Sequence, residues 1–152
     1  MSYDNELYQQ VILDHNRNPR NFREIKNATH SCHGVNPLCG DDMTVYLDVD
    51  EEQGVIRDIS FVGTGCAISK ASSSLMTAFL KGKTLEESRI VFKEFHKMVL
   101  GEMDPDKEEH HLGKLKLFRG IREYPSRTKC ASLSWHTMIG ALDKQTEGIS
   151  TE

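Results

Sequence analysis

Three cysteines stand in chemically marked settings far apart in the chain. Cys39-Gly40-Asp41 follows Asn36-Pro37-Leu38, Cys66 follows Gly63-Thr64-Gly65, and Cys130 follows Arg127-Thr128-Lys129. Thiolates bind metals and attack sulfur, so the pattern points to one metal or sulfur site assembled by folding. A zinc ribbon or finger would place its thiols in Cys-x-x-Cys pairs, because one tight turn then supplies two ligands. No such pair occurs in this chain. Local metal motifs are excluded, and what remains is coincidence or a three-dimensional cluster. Coincidence has weight because a lone cysteine is ordinarily a small buried hydrophobe.

Read as a cluster, three thiolates need a fourth donor for tetrahedral zinc. Asp41 lies two residues from Cys39, so both side chains face one pocket from an extended or turn segment. The expected donor set is therefore Cys39, Asp41, Cys66 and Cys130. The adjacent Asp42 stays open, although it would point to the opposite side of an extended segment. A carboxylate is a harder and more labile partner for zinc than a thiolate, which suits a site built to open. Cys66 and Cys130 are each expected where a helix begins, with free amides and the helix dipole stabilising a thiolate. Lys129 and Arg127 add positive charge in the same direction. Cys32 has no flanking carboxylate or helix start and reads as a bystander. His33 lies close to Cys39 without a clear role, His110-His111 reads as a solvated pair, and His136 reads as packed or exposed rather than metal-bound. Ser72-Ser73-Ser74 lacks a nucleophile elbow, so it reads as small residues that let helices pack closely.

Elements that could position these residues follow from periodicity. Leu7, Tyr8, Val11 and Ile12 mark an amphipathic helix over residues 3–17, stopped near Pro19, with an irregular stretch to about Ala28. Met43, Val45, Leu47 and Val49 alternate as a strand, Asp50 to Gly54 supplies a turn, and Val55 to Val62 supplies a second strand. A third strand is expected over residues 31–37. The Gly63-Thr64-Gly65 break feeds a helix from Cys66 to Lys81, with Ile68, Ala71, Leu75, Met76 and Phe79 on one face. Thr84 and Glu87 match a capping box opening a helix over about 85–100. Residues 101–113 are charged and read as a surface excursion, followed by a short helix around Leu115, Phe118 and Ile121. A last helix starts near Cys130, and the polar tail after Gln145 reads as frayed. The expected architecture is α+β: one domain over residues 1–152, a small antiparallel sheet of about three strands with helices on one face.

With 152 residues, 38% hydrophobic and 28% charged, the chain has the composition of an ordinary soluble domain with a real core. A net charge of −4 with no basic stripe argues against nucleic acid as a partner. The apolar runs are too short to span a membrane. The opening residues carry neither a basic n-region nor an apolar h-region, so the expected compartment is the cytoplasm, where thiols stay reduced. A framework of two disulfides is not expected there.

Beyond its residue chemistry, the chain resembles a known family. Asn36-Pro37-Leu38-Cys39-Gly40-Asp41, Gly63-Thr64-Gly65-Cys66-Ala67-Ile68-Ser69-Lys70-Ala71-Ser72-Ser73-Ser74 and Arg127-Thr128-Lys129-Cys130 occur in the order found in the IscU/NifU-N family of iron–sulfur assembly proteins. Asp14-His15-Asn16-Arg17-Asn18-Pro19-Arg20-Asn21 adds to a resemblance that covers nearly the whole chain. Two features depart from the scaffold branch: Lys129 stands where that branch has a histidine, and an excursion around residues 93–113 lengthens the interval between Cys66 and Cys130. Both resemble SufU, the zinc-containing branch that works with a SufS-type cysteine desulfurase. The resemblance implies a sulfurtransferase with Cys39 as sulfur acceptor, zinc on Cys39, Asp41, Cys66 and Cys130, and delivery to downstream iron–sulfur assembly machinery. It also implies that docking of the desulfurase frees Cys39 from the metal. The rival reading is a scaffold assembling a transient 2Fe-2S cluster on the same cysteines. The blandest is a purely structural zinc protein.

Overall fold

Alternation of apolar side chains dictates the centre of the fold. In the computed structural model, which describes residues 2–144 and 149–150, β1 (His30–Asn36), β2 (Asp41–Asp50) and β3 (Val55–Thr64) form an antiparallel meander. Along β2 every second residue is buried, from Asp41 through Met43, Val45 and Leu47 to Val49. Side chains of a strand alternate between faces, so this spacing gives the sheet one core face. The pairing slips between Asp48 and Val49, leaving Arg57 as the extra residue, and Arg57 reaches the Asp48 carboxylate at 3.1 Å.

The three expected strands gain a fourth. β4 (Ile149–Ser150) pairs parallel to β1 through Gly34 and Val35, giving the order β3-β2-β1-β4. The frayed tail expected after Gln145 is corrected to this extent, because the open edge of β1 offers backbone groups that a passing segment can pair. Residues 145–148 and 151–152 of that tail lie outside the described residues.

The first three helices follow their local signals closely. α1 spans Ser2–Arg17, α2 Ala67–Leu80, α3 Leu85–Leu100 and α4 Pro125–Leu142. The capping box is formed at α3: Thr84 Oγ1 accepts from Glu87 N at 3.0 Å, and Glu87 Oε1 accepts from Thr84 N at 3.1 Å. Gly101 closes α3 in the left-handed region, at φ 81°. The excursion after it is less loose than its composition implied. Met103 and Leu112 are buried, and the backbone N–H and ring of His111 both bond the Glu94 carboxylate, at 2.6 and 2.7 Å. A 3-10 segment, Gly113–Glu123, then buries Leu115, Phe118 and Ile121.

α4 is the central helix, packed on β1, β2 and α2. Trp135, fully buried, stacks on Phe95 with ring centroids 4.5 Å apart and donates from Nε1 to Ser72 Oγ at 3.1 Å. Ser72 Oγ donates in turn to Ala131 O at 2.6 Å. Ser74 Oγ accepts from Arg20 N at 2.8 Å and bonds His15 Nδ1 at 2.7 Å. The serine run is thus small enough for close approach, and it also joins α2 to α4 and to the segment after α1 by buried hydrogen bonds. No helix among the described residues is long and apolar enough to cross a membrane.

Gly34 shows how tightly α4 sits on the sheet: a Cβ there would collide with Thr137 Oγ1 and lie 3.2 Å from Leu133 Cδ1. Thr137 cannot turn aside freely, because its hydroxyl is buried and donates to Leu133 O at 2.8 Å. Gly34→Ala is therefore expected to destabilise the fold by about 1–3 kcal/mol, read as a lower denaturant midpoint with an unchanged slope.

Candidate metal centre

The site begins with a turn. Cys39 N–H donates to Asn36 O at 3.3 Å, closing Asn36-Pro37-Leu38-Cys39 between β1 and β2, with Pro37 in the position its fixed φ favours. Gly40, at φ 70°, lets the chain re-enter the sheet through a conformation that side chains resist. Cys39 is left exposed at the turn, whereas Asp41, the first residue of β2, points inward and is only 2% exposed. Strand alternation sends Asp42 to the opposite face, where its Oδ1 bonds His33 Nε2 at 2.6 Å. Asp42 is thus turned away from the Cys39 turn, and His33 has a partner.

Cys66 is the N-cap of α2, and its Sγ accepts from Ser69 N at 3.4 Å. Its own N–H donates to Asp41 Oδ1 at 2.9 Å. Gly65 makes room for this contact, since a Cβ there would lie 2.7 Å from Asp41 Oδ1. Asn36 Nδ2 donates to the other carboxylate oxygen, Asp41 Oδ2, at 3.1 Å and approaches Cys130 Sγ at 3.7 Å.

Cys130 requires a correction. α4 starts at Pro125, which suits the first helical position because it lacks an N–H, so Cys130 lies in the second turn and not at the helix start. It is 1% exposed, and burial, followed by the neighbouring Cys39 and Cys66, pushes its thiol well above the usual range. The cation whose charge acts on this thiol is Arg127: Cys130 first, then Cys66 and Cys39, raise the pKa of its guanidinium. Lys129 instead lines a groove of about 420 Å³ between α3 and α4, with His96, Thr128, Ser132 and His136. Cys32 is buried in the core of the sheet.

The donors converge. Cys39, Asp41 and Cys130 each offer an atom within 4.8 Å of the others. The thiol of Cys130 donates to Cys39 Sγ at 3.1 Å, which is far longer than the S–S bond of about 2.0 Å in a disulfide. All four cysteines are free. Cys66 stands beside this group rather than within it, joined through its amide to Asp41.

The sequence model of the NifU-like N terminal domain matches residues 7–131. The chain belongs to this family. NifU-like relatives carry two functional names. The chain is 37% identical over 142 residues to the zinc-dependent sulfurtransferase SufU of Bacillus subtilis, covering 93% of each chain. It is 36% identical over 140 residues to the iron–sulfur cluster assembly scaffold protein IscU of Streptococcus pyogenes, covering 92% of this chain and 85% of that one. A crystal structure of a putative SufU scaffold from Fervidobacterium islandicum superposes with a TM-score of 0.78 at 34% identity, covering 88% of this chain and 94% of that one. The protein is therefore an α+β member of the IscU/SufU type of iron–sulfur cluster assembly proteins.

The residues fit a zinc ion by their chemistry. Three sulfur donors and one carboxylate are a set that zinc accepts, and a cation held among them would offset the cost of burying Cys130 as a thiolate. Asn36 is the residue the sequence argument passed over. Its signal was its place before Pro37 at the start of a turn that ends in a candidate ligand.

His136, half-buried in the groove wall, packs edge-on to His96 and Phe92, with ring centroids 4.7 and 5.2 Å away. Burial, then the neighbouring His96, lowers its pKa from 6.5 to about 4. Between these values the unfolded chain binds a proton that the folded chain refuses, so stability is complete above pH 6.5 and falls as pH drops toward 4. His15 and His30 are lowered by burial in the same direction. The melting temperature, measured with a chelator present, is expected to decline over this window, and His136→Phe is expected to flatten the decline.

Proposed function

We propose that the protein is a zinc-dependent sulfurtransferase that accepts persulfide sulfur from a SufS-type cysteine desulfurase in the cytoplasm and passes it to downstream iron–sulfur assembly machinery. The observation that carries this reading is the contrast between an exposed Cys39 at a turn and the buried Asp41 and Cys130 behind it. Zinc on Cys39, Asp41, Cys66 and Cys130 would keep the thiols deprotonated at neutral pH.

The chain's own residues account for the transfer. The Cys39 thiolate attacks the outer sulfur of the donor persulfide; a Cys39 Sγ–S bond forms as the donor's S–S bond breaks, and the donor cysteine leaves as a thiolate. No external oxidant or reductant enters. The turn presents Cys39 to a partner, and Arg127 places positive charge beside the sulfurs as the incoming persulfide approaches. Asp41, held by the Cys66 and Asn36 donors, stays in place.

A second reading, a scaffold for a 2Fe-2S cluster, is favoured by the Streptococcus relative's name and by the same sulfur donors. Against it stands Lys129, which lies in the position where the scaffold branch carries a histidine and is a poor ligand when protonated. Alanine release by a cysteine desulfurase, with and without the zinc-loaded protein, separates the two. Stimulation supports the transfer reading; no stimulation, with a stable iron–sulfur chromophore after anaerobic reconstitution, supports the scaffold.

A further inference from the structure

We infer that Asn36 is a positioning residue of the metal centre: its single side-chain amide ties Asp41 and Cys130 into one fixed pair, while only its backbone holds the turn that carries Cys39. The inference rests on the zinc-site reading above and adds to it a division between donors that stay and one that is free to leave.

Asn36 ends β1 directly opposite Asp41 in the strand register and is fully buried. Its Nδ2 carries two hydrogens, and two acceptors stand before it: Asp41 Oδ2 at 3.1 Å and Cys130 Sγ at 3.7 Å. Its Oδ1 is buried with no partner among the described residues. Both acceptors facing the donor end are candidate metal donors. Turning the amide over would only set Oδ1 against a carboxylate oxygen and a sulfur, so its orientation is dictated by the metal donors.

Asp41 thereby has a donor on each oxygen, from Asn36 and from the Cys66 amide. Cys130 gains an N–H facing its sulfur, which opposes the cost of burying a thiolate. Cys39 is bound to Asn36 only through the turn hydrogen bond to its N–H, so a Cys39 side chain that swings outward gives up the 3.1 Å contact with the Cys130 thiol but leaves the Asn36 bonds to Asp41 and Cys130 in place.

The test compares zinc affinity, by competition with a chromophoric chelator, for the wild-type protein, Asn36→Ala and Asn36→Asp, together with the sulfur-to-metal absorption bands of the cobalt-substituted forms. Loss of an outer hydrogen bond to a ligand typically costs about tenfold to a hundredfold in metal affinity, and that is the loss expected for Asn36→Ala, with a shifted charge-transfer band. Its metal-free melting temperature should fall by only a few degrees, because Asp41 Oδ2 loses its donor while Oδ1 keeps the Cys66 N–H. Alkylation of Cys39 in the metal-free protein should keep its wild-type rate, because the turn bond is a backbone bond. Asn36→Asp sets a second carboxylate against Asp41 and should bind zinc more weakly still. Zinc affinity within twofold of wild type in Asn36→Ala, with an unchanged cobalt spectrum, would overturn the inference. So would an affinity loss that merely tracks a lowered metal-free melting temperature. Metal binding is the readout, so failure of the desulfurase assay and failure of this test are separate results.

Discussion

Cys39→Ala is expected to abolish stimulation of a cysteine desulfurase, returning alanine release to the rate of the desulfurase alone, while the protein stays folded. Of the four cysteines, Cys39 is the exposed one; Cys66 is partly covered, and Cys32 and Cys130 are buried. An acceptor must reach the outer sulfur of a persulfide held on another protein, and attack requires access as well as thiolate character. The turn Asn36-Pro37-Leu38-Cys39 is closed by backbone atoms, so removing the Cys39 sulfur leaves it intact. A surface truncation of this kind changes stability by only about ±0.5 kcal/mol, so the melting temperature of the metal-free protein should move little. Mass spectrometry after reaction with the desulfurase should find one added sulfur on Cys39 in the wild type and none in the variant. Persulfuration of the variant at the wild-type rate would place the acceptor elsewhere.

The second large effect is expected at Asp41. Asp41→Ala leaves two donors without their acceptor: the N–H of Cys66, which opens α2, and the side-chain amide of Asn36. The Asn36 amide is buried and the Cys66 N–H part-buried; each donor left unpaired costs about 1–3 kcal/mol, so the metal-free protein should lose on the order of 2–6 kcal/mol. For a chain of this length, about 2–4 °C of melting temperature goes with each kcal/mol, which predicts a fall of roughly 4–24 °C. Zinc retention should fall too, since the carboxylate donor is gone. Asp41→Asn keeps one acceptor oxygen and should recover part of the melting temperature without recovering wild-type zinc affinity. A variant Asp41→Ala with normal zinc content after a chelator wash would remove Asp41 from the ligand set.

Much of the fold was legible along the chain because its signals are local. The capping residues Thr84 and Glu87 predicted the start of α3, and the Gly63-Thr64-Gly65 break predicted that Cys66 opens α2. Alternation from Met43 to Val49 predicted β2 and the opposite faces of Asp41 and Asp42. The start of α4 was missed because its first turn, Pro125 to Lys129, holds no apolar residue and so carries no helical periodicity. β4 was missed because two residues are too few to alternate, and their pairing depends on the free edge of β1. The groove placement of Lys129 was missed for a similar reason: being next to Cys130 in sequence says nothing about facing the same way on a helix, where neighbours point about 100° apart.

The sequence by itself determined which side chains are candidates for the chemistry, that Cys39 and Asp41 share a turn and the strand after it, and that Cys66 caps a helix. Each of these is fixed by neighbours a few residues away. Only the tertiary structure decided that Cys130 is buried while Cys39 is exposed, that Lys129 lines the groove between α3 and α4, and that Asn36 bridges Asp41 and Cys130. Those relations depend on how α2 and α4 pack against the sheet, through contacts such as Gly34 with Thr137 and Ser72 with Trp135, and no short stretch of chain encodes them.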